Sequence, residues 1–362
     1  MRKEEGKALP IIIALVAIII VLAVIAFVMY KDIFLKTDKN EVKILQSEIV
    51  EKKEETSKET VKTTTTPAQK KIQIFSGTER PIAVMIDNSK EAWPQSGLND
   101  AYLVYEMIVE GGETRLMALF KGKTLQKIGP VRSSRHYFLD YAMENDGIYV
   151  HYGWSPEAEE DISKFNINNI NGVTGDSKYF WRVKDKASPH NAVISTKNIL
   201  ELAESKGYKT TSNEKSVLNY VTNEVELENG QVANEVTIPY SELQTVSYKY
   251  NEETKRYTRY ARGSVQKDWD SKEEITTKNI IITFAKNYDL QDGENKGRQE
   301  LNNIGTLDGY YITNGKAVKI KCTKSARTSK TVYKDLSGQV INVNDGNTFI
   351  QICPIDADVK IQ

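Results

Sequence analysis

Tyr102-Leu-Val-Tyr-Glu-Met-Ile-Val-Glu-Gly-Gly-Glu-Thr-Arg-Leu-Met-Ala-Leu-Phe120 is the stretch that decides the fold. Two apolar runs flank Gly111-Gly112, the pattern of a two-residue β-hairpin. With the glycines as the turn, Glu110 faces Glu113, Ile108 faces Arg115 and Glu106 faces Met117. Side chains alternate along a strand with period two. One face then carries Tyr105, Met107, Val109, Thr114, Leu116 and Phe120, and belongs to a core. The other carries Glu106, Ile108, Glu110, Glu113 and Arg115. Arg115 is diagonal to both Glu106 and Glu110, a spacing of ~7–8 Å that a long side chain bridges. The expectation is a carboxylate–guanidinium cluster on one sheet face.

Upstream, Arg80-Pro-Ile-Ala-Val-Met-Ile-Asp87 is an apolar run that ends in a carboxylate, as in a strand buried on both faces with a polar exit. Downstream, Ile128-Gly-Pro-Val-Arg-Ser-Ser-Arg135 leads into a helix expected over 133–144, with Ser133 or Ser134 as its cap. A helix N-terminus beside Arg132 and Arg135 suits a carboxylate or a phosphate. Gly147 to His151 reads as another strand, Ser155-Pro-Glu157 as a helix start, and 196–206 as a further helix. The chain has three histidines. Two of them, His151 and His190, stand at strand or loop exits, as Asp87 does, which points to one polar cleft. No metal-ligand spacing and no G-x-S-x-G elbow is present, so neither a metal nor another cofactor is expected.

From about residue 231 the pattern changes to short alternating strands, among them 235–240, 244–250, 257–262, 278–284, 317–322 and 348–353, which read as a mostly antiparallel β unit. Tyr248, Tyr250, Tyr257, Tyr260 and Trp269 there either stabilise the sheet or offer a carbohydrate-stacking surface. Cys322 and Cys353 are the only cysteines; a disulfide is open to them outside the cell, and two buried free thiols are the favoured reading. The fold class expected is therefore α+β: a mixed sheet with helices over 75–212, then a mostly antiparallel β domain over 213–362.

The N-terminal end sets where these domains work. Residues 10–30 contain no charged side chain. At ~1.5 Å rise per residue such a helix crosses a ~30 Å hydrocarbon core. Arg2, Lys3 and Lys7 favour a cytoplasmic tip at 1–9. A single-pass anchor at 10–30 then places the C-terminal domains outside the cell membrane. Residues 31–74, rich in Lys, Glu and Thr, read as a flexible linker with a reach of ~30 Å. The chain carries 49 basic and 49 acidic residues, so no nucleic-acid partner is indicated.

The motifs already quoted, together with Pro94-Gln-Ser-Gly-Leu-Asn-Asp100, Ser155-Pro-Glu-Ala158, Pro189-His-Asn191 and Gly346-Asn-Thr-Phe-Ile-Gln351, resemble the YerB-like lipoproteins of Gram-positive bacteria. The resemblance covers about 75–355 and implies two domains at the cell envelope, in a family of unassigned function. An apolar anchor without an acceptor cysteine departs from the lipoprotein members.

Outside such a membrane the main candidate ligand is peptidoglycan. One expectation is cleavage of its glycan strands, by hydrolysis or lytic transglycosylation, with Glu110 or Glu106 as a general acid whose pKa burial raises. Glu106 and Glu110 are ~13 Å apart along one strand, too far to act together in either glycosidase geometry. Asp87 is the second carboxylate to consider. Arg115, Arg132, Arg135, His151, His190 and Asn191 are the candidate substrate-binding residues. The alternative is a non-catalytic module that binds cell-wall glycan or a cell-wall synthesis protein. A solute-binding receptor is a third.

Overall fold

The computed structural model describes residues 70–362. The expected cytoplasmic tip, membrane anchor at 10–30 and most of the 31–74 linker lie outside the described residues. Among the described residues no helix is long and apolar enough to cross a membrane. The described residues belong to one compact unit. It is a mixed fold with few helices and many strands.

The first half contains β1 (Ile82–Asp87), β2 (Leu103–Ile108), β3 (Thr114–Phe120), α1 (His136–Glu144), β4 (Ile148–His151), α2 (Pro156–Lys164), β5 (Asn169–Asn171) and α3 (Thr196–Ser205). Every residue of β1, β2 and β3 is buried. This is why their sequences read as unbroken apolar runs. Ser155 caps α2 by accepting from the Ala158 N–H at 3.3 Å, with Pro156 preset for the first turn. Ser195 caps α3 in the same way through Asn198, at 3.1 Å. Helix α3 buries Ile199, Leu202 and Ala203 and leaves its charged face in water.

The β-rich second half does not form a sheet apart. Its strand Thr348–Pro354 lies parallel to β2 on one side and to Asn279–Asp289 on the other. One twelve-stranded sheet therefore runs through both halves, from Val332–Asp335 at one edge to β5 at the other. A smaller antiparallel sheet, with Thr245–Asn251, Arg256–Ala261 and Glu235–Pro239, covers one of its faces. Tyr248 and Tyr257 of this sheet are fully buried, so they stabilise the core and offer no open stacking surface. Cys322 and Cys353 are buried free thiols.

The hairpin differs from its expected register by one residue. Glu106 pairs with Leu116, Met107 with Arg115, and Ile108 with Thr114. The turn takes in Glu110 as well as the two glycines: the Val109 N–H donates to the Glu113 carbonyl at 2.8 Å, closing a three-residue loop. Gly111 and Gly112 have φ of 69° and 74°, the left-handed conformation that glycine adopts without steric cost. A one-residue slip exchanges the two faces of a strand. Glu106 consequently shares a face with Ile108, Thr114 and Leu116. Arg115 lies on the opposite face, so the expected contact between Glu106 and Arg115 does not exist.

Candidate functional site

Strand β1 delivers Asp87 to its C-terminal end, directly beside Arg115 of β3 in the antiparallel register. The segment after Ile128 runs back along β1, where the Asp87 N–H donates to the Pro130 carbonyl at 2.9 Å and the Arg132 N–H to that of Met85 at 3.0 Å. This brings Arg132 and Arg135 to the same exit. Helix α1 begins at His136, with Arg135 at the cap position and no side-chain cap. The hydroxyls expected to cap it are used elsewhere: Ser133 donates to the Tyr152 carbonyl and Ser134 accepts from Tyr149.

These residues line a cleft of about 370 Å³ with Asp87, Glu110, Arg115, Arg132, Arg135 and His190 on its walls. Glu110 accepts from Nη2 of Arg135 at 2.8 Å and from its Nε as well. Burial alone raises the pKa of a carboxyl, but Arg135, and then Arg115, hold Glu110 below its usual value. The expectation of a raised, proton-bearing Glu110 is therefore corrected: its carboxylate is held ionised by a guanidinium. Asp87 is buried and accepts from Ser89 Oγ at 2.9 Å and His190 Nδ1 at 2.8 Å, with Arg132 Nε at 3.1 Å. Against the upward push of burial, Arg115, Arg132 and these hydrogen bonds leave its pKa lowered.

Arg115 is the unusual member. It is 7% exposed and donates to the Ser133 carbonyl at 2.7 Å. Among the described residues it forms no ion pair within 4.0 Å. Burial, and next the charge of Arg135, push its guanidinium down to about 10 against the pull of Asp87 and Glu110. The buried Nε of Arg132 has no well-directed hydrogen bond. The cleft thus holds cationic donors that its own carboxylates do not fully satisfy.

Three expected members lie elsewhere. Glu106 is fully buried on the other face of β2, paired with Arg259. His151 is fully buried; its Nδ1 donates to the Gly153 carbonyl at 2.8 Å, its Nε2 lies 3.2 Å from Asn169 Oδ1, and burial pushes it down to about 4. Its ring stacks on Tyr149 and orders the strand end; it does not reach the cleft. Asn191 turns into its own loop, accepting from Arg182 and donating to the carbonyls of Val183 and Lys186.

Both halves of the chain match models of one family. Residues 65–209 match the N-terminal domain, and residues 236–350 the C-terminal domain, of a protein of unknown function, DUF3048. A YerB lipoprotein of Bacillus subtilis (strain 168) is 30% identical over 289 residues, which cover 76% of this chain and 81% of the relative. The chain belongs to the DUF3048, YerB-like family. A crystal structure of the YerB protein from Bacillus subtilis matches with a TM-score of 0.70 at 29% identity, over 78% of this chain and 94% of that one. In the numbering of this member, Asp87, Glu110, the three arginines and His190 all come from the N-terminal family domain. The C-terminal domain adds Lys296 and Arg298 to the cleft. Both stand at the tip of a hairpin whose strands are Asn279–Asp289 and Gln299–Asn302. The sequence offered no sign of these two, because nothing local links a hairpin tip to the strand exit at Asp87, far earlier in the chain. Ser89, two residues beyond Asp87, was legible as part of the strand exit and was missed.

Proposed function

We propose that this protein is a membrane-tethered module of the cell envelope that binds a singly charged anionic group of the cell wall through the arginine cleft. The single observation that carries this reading is Arg115: a buried guanidinium without a carboxylate partner among the described residues, flanked by Arg132 and Arg135. Charge bookkeeping gives the valence. Three guanidiniums, Arg115, Arg132 and Arg135, face two carboxylates, Asp87 and Glu110, which leaves one positive charge. Glu113 is taken by Arg262, and Lys296 and Arg298 by Glu294 and Asp292. Guanidinium forks suit carboxylates and phosphodiesters equally. The apolar segment at 10–30 and the lipoprotein relative support a tethered, extracytoplasmic placement.

Glycan-strand cleavage is the weaker reading, because it needs a carboxylic acid that carries a proton. Glu110 is paired with Arg135, and Glu106 is sealed against Arg259. The test is co-sedimentation of residues 70–362 with purified walls, with mass spectrometry of anything released. Binding that weakens with salt and with Arg115→Met supports the proposal. Release of soluble glycan fragments, abolished by Glu110→Gln, would replace it with the enzymatic reading.

A further inference from the structure

We infer that the ligand carries a hydroxyl or other hydrogen-bond donor beside its anionic group, and that His190 Nε2 is the acceptor that selects it. The inference rests on the anion-binding reading and narrows its ligand to a hydroxylated monoanion. His190 Nδ1 lies 2.8 Å from Asp87 Oδ2 and 2.9 Å from Ser89 Oγ. Ser89 in turn donates to the other Asp87 oxygen at 2.9 Å. Asp87 is an ionised acceptor, so Nδ1 carries a proton toward it, and in the singly protonated ring Nε2 keeps its lone pair. Nε2 has no hydrogen-bond partner among the described residues and is not enclosed, and the ring lines the cleft. The same Asp87 oxygen is 3.1 Å from Arg132 Nε. Laid end to end, 2.8 Å and 3.1 Å put that guanidinium nitrogen no more than 5.9 Å from His190 Nδ1, and Nε2 stands on the far side of the same ring. A hydroxyl two or three bonds from a carboxylate or phosphodiester reaches from one to the other, since each end adds a hydrogen bond of about 2.9 Å. Around it the arginines offer donors to the anion, while Asp87 and Glu110 already accept from Arg132 and Arg135. The imidazole nitrogen that faces the cleft is therefore a wall element able to distinguish a hydroxylated anion from its deoxy counterpart. Sites that pair with a ligand hydroxyl discriminate against the analogue without it, because their own polar group is left unmatched.

Residues 70–362 have their own core and sheet, so the experiment uses that body, with two matched pairs of probes titrated by NMR: lactate against propionate, and bis(hydroxyethyl) phosphate against diethyl phosphate. The expected result is a preference of about threefold to tenfold for the hydroxylated member of whichever pair binds. The His190 Nε2 resonance should move with that member only. In His190→Phe, checked for a native spectrum, the preference should fall to about onefold. Equal binding within a pair, with His190 Nε2 unmoved, overturns the inference and leaves the anion cleft standing. Failure of all four probes to bind overturns the anion reading itself. Whichever pair binds more tightly separates carboxylate from phosphodiester recognition.

Discussion

Glu106 Oε2 accepts from Arg259 Nη2 at 2.8 Å, and neither side chain has any exposed surface. Glu106 lies on β2, in the N-terminal family domain, and Arg259 on Arg256–Ala261, in the C-terminal one. The other oxygen of Glu106 accepts from Thr114 Oγ1 at 2.7 Å and Asn88 Nδ2 at 3.1 Å. On the Arg259 side, Nε and Nη1 have no hydrogen-bond partner, and the rings of Tyr248 and Phe349 lie 5.7 and 5.4 Å from the guanidinium carbon. The pair is a desolvated ionic tie between the two family domains.

Breaking one side of that tie leaves a buried guanidinium without its counter-charge. Glu106→Gln should therefore destabilise the protein by about 3–5 kcal/mol, measured by urea unfolding. Adding Arg259→Met should recover most of the loss, because the stranded charge goes with it. A Glu106→Gln variant as stable as the parent would show that the pair is not formed as described.

Arg115 should behave differently. Its charge has no carboxylate partner within 4.0 Å among the described residues, so Arg115→Met breaks no ion pair; it removes only the longer-range pull on Asp87 and Glu110 and should lower the unfolding midpoint far less than Glu106→Gln does. Wall binding should weaken at least about tenfold, ~1.4 kcal/mol. A variant that unfolds as easily as Glu106→Gln yet binds equally well would make Arg115 a structural residue.

The two cysteines should stay reduced and unreactive in the native protein. Burial pushes both thiols up to about 12, so almost no thiolate exists at neutral pH. Cys322 belongs to the core layer on one face of the large sheet and Cys353 to the layer on the other, which keeps them from pairing. A colorimetric thiol reagent should react only as fast as the protein unfolds, and oxidised glutathione should yield no intramolecular disulfide. Rapid modification without denaturant would contradict this burial.

Strand positions were legible where a single chemistry spoke. The run from Ile82 to Asp87 and the C-terminal alternating strands read correctly because apolar runs and period-two patterns come from burial alone. The Gly111-Gly112 turn was visible, but its length was not. Both faces of β2 and β3 are buried, so alternation carried no distinction between inside and outside, and nothing local reported that Glu110 joins the loop. That one residue moved Arg115 from Glu106 to Asp87. The cleft could still be read as an exit cluster because Asp87, Arg132, Arg135 and His190 each stand just past an apolar element. His151 has the same signature and is buried. What separates it from His190 is the packing of Tyr149 and Asn169 around it, which depends on pairing with β5 and leaves no mark near residue 151.

His151 provides the last expected outcome, a pH dependence with a definite sign. Its ordinary value is 6.5, and burial lowers it to about 4 in the folded protein, so the fold keeps the ring neutral. As pH falls, the unfolded chain takes up this proton first. The unfolded state then binds more protons, and stability falls with pH. The contribution is complete above about 6.5, drains away between about 6.5 and about 4, and levels off below that. Its upper bound is roughly 3 kcal/mol. Asp87 and Glu110 have lowered values too, but their contributions are lost only as pH passes below 3.8 and 4.5. The window from pH 6.5 to 5 therefore reports on histidine. Urea unfolding of the parent and of His151→Gln at pH 7 and pH 5 isolates the term, since every other group cancels in the difference. The parent should lose more stability than the variant over that interval. Equal losses would mean that the His151 ring takes up its proton in the folded state as readily as in the unfolded chain.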